Sequence, residues 1–153
     1  MINIVLYKPE IPQNTGNVAR TCAVTGARLH LIGPMGFKID DTKLKRAGLD
    51  YWHYLDISYY GSYEEYIEKH RNILRFYATT SAKKYYHQVR YEDDCHLVFG
   101  QETAGMPTEI LEKNEENCIR IPQRDYARCL NLSNSVAIVC YEAIKNLGFK
   151  NMV

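Results

Sequence analysis

Apolar residues fall along the chain in short runs, separated by turns that carry glycine, proline or clustered polar residues. Asn3–Tyr7 reads as a buried strand, halted by Pro9 and Pro12. A helix is expected from about Asn14 to Thr25, because Val18, Ala19, Cys22 and Ala23 share one face, and Gly26 supplies a left-handed stop. Arg28–Ile32 is a second strand, closed by Gly33-Pro34, and Thr42–Ala47 reads as a short basic helix ended by Gly48. Strands are then expected at Asp56–Tyr60, Leu74–Thr79, His96–Phe99 and Cys118–Ile121, with helices at Tyr63–His70 and Pro107–Glu112. Ser81 to Tyr91 reads as a basic, aromatic loop. The final helix, from roughly Leu132 to Leu147, stops at Gly148 and carries an apolar stripe of Val136, Val139, Cys140, Ala143, Ile144 and Leu147. Strands alternating with helices predict an α/β fold with a mostly parallel sheet flanked by helices, in a single domain spanning residues 1–153. Ligands in such sheets bind beyond the carboxyl ends of the strands, which here carry the unusual loops Gly100–Pro107 and Pro122–Ser133.

Composition narrows the class without naming the chemistry. The chain is 46% hydrophobic and 24% charged, as expected of a globular protein, and no apolar run reaches the length of a membrane span. MINIVLYKPEIP lacks the basic and long apolar regions of a secretion signal. Five scattered cysteines and the absence of such a signal predict reduced thiols and a cytoplasmic location. No zinc spacing occurs, so no metal is expected, and the five histidines read as surface or helix-flanking residues. Net charge is only +1, yet basic residues cluster at Lys43, Lys45 and Arg46, at Lys83, Lys84 and Arg90, and at Arg120, Arg124 and Arg128.

Three loops carry candidate chemistry. In Ile11–Thr21, Asn14 or Thr15 can cap the helix, and Arg20 with the helix N-terminus can hold a phosphate or an oxyanion; the bland alternative is a capped helix with a surface arginine. LVFGQETAGMP has glycines at 100 and 105 but neither Lys-Ser/Thr nor G-x-G-x-x-G, which argues against nucleoside triphosphate and dinucleotide sites. Between those glycines, Glu102 can fix the adjacent loop or bond a ligand. In IRIPQRDYARCLNLSNSVAIVCYEA, the polar run Arg128–Asn134 sits where strand meets helix, where backbone N–H groups and positive dipole are available.

Taken in order, IPQNTGNVART, LHLIGPMGF, KLKRAGLDYW, LVFGQETAGMP and IRIP…LNLSNSVAIVCYEA resemble the motifs of the SPOUT methyltransferases. The resemblance is closest to the TrmL/YibK branch, the tRNA (cytidine(34)-2′-O)-methyltransferases. It implies a deep C-terminal trefoil knot, a homodimer joined through the first and last helices, and bent S-adenosyl-L-methionine held by three loops. The cofactor residues it implies are Thr79, Gly100, Glu102, Gly105, Ile121, Cys129 and Leu130. Methyl transfer to the 2′-hydroxyl of the wobble nucleotide, in a tRNA anticodon loop, would then rest on Arg20, with Asn14, Arg128, Asn131 and Ser133 on the substrate side. Arg20 would orient a phosphate or hydroxyl rather than act as base, since a guanidinium stays protonated. Tyr85, Tyr86 and Tyr91, interleaved with Lys83, Lys84 and Arg90, can supply stacking and phosphate contacts, or simply pack a sheet edge. The chain departs from the family at Gln123–Cys129, where Cys129 takes the place of a serine. The alternatives are a catalytically inactive RNA-binding dimer of the same fold and a 2′-O-methyltransferase of another RNA, such as rRNA.

Overall fold

A computed structural model describes residues 1–38 and 54–153 of the chain. The expected basic helix at Thr42–Ala47 and the first basic cluster lie outside the described residues. The strands are β1 (Asn3–Tyr7), β2 (Arg28–Ile32), β3 (Ile57–Tyr60), β4 (Arg75–Ala78), β5 (Lys84–Tyr85), β6 (His96–Phe99) and β7 (Cys118–Arg120). The helices are α1 (Pro12–Thr25), α2 (Tyr63–Lys69), α3 (Thr108–Lys113) and α4 (Leu132–Asn146). The seven strands form one sheet in the order β3-β2-β1-β6-β4-β7-β5, and every pairing is parallel.

Period-two alternation divides the inner strands between two cores. From β1, Ile4 and Leu6 enter a layer built with Val18, Ala19 and Cys22 of α1 and Val136, Val139, Cys140 and Ala143 of α4. Val5 and Tyr7 enter the opposite layer, with Tyr60, Tyr66, Tyr77, Val98 and Met106, covered by α2 and α3. The apolar stripe expected on the last helix is therefore its packing face, set against α1 and the sheet.

Four sequence expectations change. Helix α1 begins at Pro12, two residues early, because a first-turn proline lacks only an N–H that the helix would leave unpaired. Its cap position is Ile11, with no capping side chain of its own, so neither Asn14 nor Thr15 caps it. The Ser81–Tyr91 stretch is not wholly loop: Lys84 and Tyr85 pair with Ile119 and Arg120 as a short edge strand. Finally, His30 and His96 are buried in β2 and β6 rather than lying on the surface. Their rings stack with centroids 4.9 Å apart, and His70 of the α2 C-terminus stands 4.8 Å from His96. Burial is tolerated because the polar atoms bond one another. Asn3 accepts from His30 Nε2 at 3.0 Å, His30 Nδ1 accepts from the Tyr60 hydroxyl at 2.9 Å, and that hydroxyl accepts from His70 Nε2 at 2.8 Å. The direction follows from Asn3, whose amide N–H groups are spent on Asp94.

Candidate functional site

Strand β1 has β2 on one side and β6 on the other, so the chain reverses direction across the sheet between β1 and β6. A ligand crevice is expected at such a switch point. Here it is closed by two carboxylates that reach across it. Glu102, after β6, accepts from the backbone N–H groups of Glu10 at 2.9 Å and Ile11 at 3.0 Å, and from Asn14 Nδ2 at 3.2 Å. Glu10, after β1, accepts in return from the Thr103 N–H at 3.0 Å and its hydroxyl at 2.8 Å. Glu102 thus places negative charge beside the start of α1, where the helix dipole favours it, through the N–H groups of Glu10 and Ile11 that precede the first turn.

The cavity opens one strand further along. It measures about 450 Å³ and is lined by Ala78–Thr80 beyond β4, Phe99–Met106 beyond β6 and Cys129–Leu132 beyond β7, with Ile11, Asn14 and Ser135. A side extension of about 90 Å³ adds Ile121 and Gln123. Gly100 is required by the loop itself. A β-carbon there would stand 2.2 Å from the Gly105 carbonyl carbon, because the loop folds back and Gln101 and Gly105 exchange backbone hydrogen bonds of 3.1 and 3.0 Å. Gly105 makes that return with φ +67°, a left-handed conformation that favours glycine. Thr79 is held by its N–H, which donates to Ile119 at 2.9 Å.

All seven residues expected around the cofactor therefore meet. Thr79, Gly100, Glu102, Gly105, Cys129 and Leu130 line the cavity, and Ile121 lines its extension. The five expected on the substrate side divide. Asn14 and Asn131 line the cavity, whereas Arg20 and Ser133 line a separate groove of about 320 Å³ between α1 and α4, with Asn17, Thr21, Asn134 and Tyr141. Arg128 is exposed on the loop outside both. Cavity and groove are joined by hydrogen bonds. Ser133 donates through its N–H at 2.9 Å and its hydroxyl at 2.7 Å to Asn131 Oδ1, Asn131 Nδ2 donates to Asn14 Oδ1 at 2.8 Å, and Asn14 Nδ2 donates to Glu102. A backbone N–H at one end and a carboxylate at the other fix both amide orientations. Asn131 is thereby the cap of α4, and Asn14 is 4% exposed with both ends of its amide engaged.

Sequence reasoning missed Glu10, Thr80, Gln101 and Thr103. The signal available for Glu10 was its place just past β1, matching that of Glu102 past β6. Among the described residues, no cluster of three or more His, Cys, Asp or Glu is placed to hold a metal, and no helix is long and apolar enough to cross a membrane.

Residues 1–141 match the SpoU rRNA Methylase family. The chain belongs to that family. Among SpoU relatives, it is 46% identical over 154 residues to the tRNA (cytidine(34)-2′-O)-methyltransferase of Escherichia coli strain K12, with 100% of this chain and 98% of the relative covered. A solved structure described as giving insight into the 2-OH methylation of C/U34 on tRNA superposes with TM-score 0.91 and 40% identity, covering 97% of each chain. An AdoMet-bound rRNA methyltransferase from Sinorhizobium meliloti superposes with TM-score 0.85 and 25% identity, over 95% of this chain and 56% of that one. The SpoU assignment fits an all-parallel sheet whose loops gather at one end.

Proposed function

We propose that this chain transfers a methyl group from S-adenosyl-L-methionine to the ribose 2′-hydroxyl of nucleotide 34 of tRNA. The observation that carries the reading is the cavity above β4, β6 and β7, which gathers every residue the family resemblance assigns to the cofactor. Its volume suits a ligand of that size, and its mixture of loop backbone, hydroxyls and apolar side chains suits a nucleoside joined to an amino acid. When bound, the cofactor supplies a methyl group on a cationic sulfur.

The residues of the chain do the rest. The Glu10–Glu102–Thr103 clamp sets the wall of the cavity against α1. Asn14 and Asn131 form the boundary between cavity and groove, where a ribose drawn from the groove would meet the methyl group. Arg20, on the groove side, orients a phosphate or the hydroxyl by its charge and planar donors. The oxygen–carbon bond would form as the sulfur–methyl bond breaks, its electron pair staying on sulfur, while the hydroxyl proton would pass to water or to a phosphate oxygen; correct placement would supply much of the rate. The 2′-hydroxyl also explains why the polymer is RNA.

Three finer features belong to the same reading. The order β4-β7-β5 supports a trefoil knot: β7 lies between strands that precede it, and the chain then returns to pack α4 on α1. A homodimer is supported by the α1–α4 surface, where Val24 and Tyr141 remain 61% and 42% exposed beside the Arg20 groove. A cytoplasmic location suits five free cysteines and a tRNA substrate.

Purified protein incubated with methyl-labelled S-adenosyl-L-methionine and unmodified tRNA is expected to place label on the ribose of nucleotide 34, read by nucleoside mapping. Label in ribosomal RNA but not in tRNA would overturn the choice of substrate, and binding of tRNA without transfer would overturn the enzyme.

A further inference from the structure

The basic aromatic segment after β4 is divided by the fold into two parts with different fates. Tyr91 is 2% exposed, packs its ring against Phe76 and donates its hydroxyl to the Tyr86 carbonyl at 2.6 Å. Tyr86 packs against the core, and Lys83 and Lys84 pair with Glu115 and Glu116. These residues hold the edge of the sheet. The rings of Tyr85, whose backbone ends β5, and of His87 are left exposed and lie nearly parallel, 21° apart in plane with centroids 5.8 Å apart.

The turn that carries them is closed from both sides. Gln88 accepts from the Tyr85 N–H through its side chain at 2.8 Å, and its own N–H donates to the Tyr85 carbonyl at 2.9 Å. The Tyr86 N–H is tied to the Arg120 carbonyl at 2.9 Å. The backbone that carries the outward rings is therefore set before any partner arrives, which lowers the cost of binding. The Arg120 guanidinium lies 5.8 Å from the Tyr85 ring centroid, and among the described residues no carboxylate pairs with it. Arg120 leads directly into Ile121 and Gln123, which line the extension of the cavity.

We propose that Tyr85 and His87 form a stacking platform for an unpaired base of the RNA substrate close to the nucleotide that is methylated, with Arg120 providing positive charge at its flank. A parallel ring pair on a set turn, next to a cation with no carboxylate partner among the described residues, matches the two surfaces of single-stranded RNA, flat bases and phosphates. Chain continuity from Arg120 to Ile121 sets the platform beside the cavity in which the methyl group would be held. The proposal rests on the RNA methyltransferase reading above.

The test measures methyl transfer to an unmodified anticodon stem-loop RNA and, separately, calorimetric affinity for S-adenosyl-L-methionine. Tyr85→Ala and His87→Ala are each expected to raise KM for RNA roughly tenfold. Their kcat and cofactor affinity should stay at the wild-type level, and Tyr85→Phe, which keeps the ring, should keep the wild-type KM. Wild-type KM in both alanine variants overturns the proposal while leaving the enzyme in place. An equal loss of cofactor affinity in those variants also overturns it, since the residues would then be structural. If wild-type protein transfers no methyl to any RNA, the functional reading and the platform fall together. Should Tyr85→Ala fail to fold, His87→Ala and Tyr85→Phe decide the matter.

Discussion

Glu102 stood out in the sequence as a carboxylate between two glycines, able either to fix the neighbouring loop or to bond a ligand. The structure gives it the first role: three donors from the β1–α1 loop and helix converge on its two oxygens. Glu102→Gln turns one of those acceptors into a donor facing an N–H. The expected cost is about 1–2 kcal/mol, because the site is part-exposed and the lost bonds are charge-assisted. Cofactor affinity should fall several-fold as the cavity wall loosens. Urea unfolding and calorimetry check both, and an unchanged urea midpoint would sink the account. Asn131, placed on the substrate side by the family resemblance, also caps α4 and orients Asn14, a partner 117 positions away that no local pattern reveals.

Among the elements, β2, β6 and α2 share the cluster of His30, His96 and His70. Burial pulls His30 down from its usual 6.5 to about 4, with His70 and Arg28 adding to that and Asp56 and Asp94 opposing it. Burial, with His30, His70 and Arg75, pulls His96 down to about 3, against Asp94. His70 is lowered as well, by burial and by Arg75. These groups take up protons in the unfolded chain below about pH 6.5; in the folded chain all three resist protonation, His30 until about pH 4 and His96 until about pH 3. Their contribution is therefore complete above 6.5 and is lost as pH falls toward 4. The urea midpoint should decline across that window, before most carboxylates titrate, and His96→Gln should make the decline shallower. A midpoint that is flat between pH 7 and 4.5 in wild-type protein would contradict this. Strand and helix positions were legible from periodicity to within about two residues. The two-residue β5 was not, because so short a strand exists only where β7 offers an edge to pair with.

For the molecule as a whole, the open question raised by the site is assembly. Arg20 lies in a groove on the α1–α4 surface rather than in the cavity, and exposed apolar side chains border it. Light scattering of the purified protein is expected to give twice the chain mass, and Tyr141→Glu should shift it toward the monomer. A monomer mass for wild-type protein would remove the dimer. What the sequence by itself determined was the α/β class, the parallel sheet and the run of motifs, since alternation, helical spacing and glycine placement are local properties of a chain. Only the tertiary structure decided that Glu102 reaches the loop leading into α1, that the cavity lies one strand away from the switch point, and that Arg20 lines a separate groove. Those outcomes depend on which strands become neighbours, and a strand's neighbours are chosen by packing over distances that no sequence window spans.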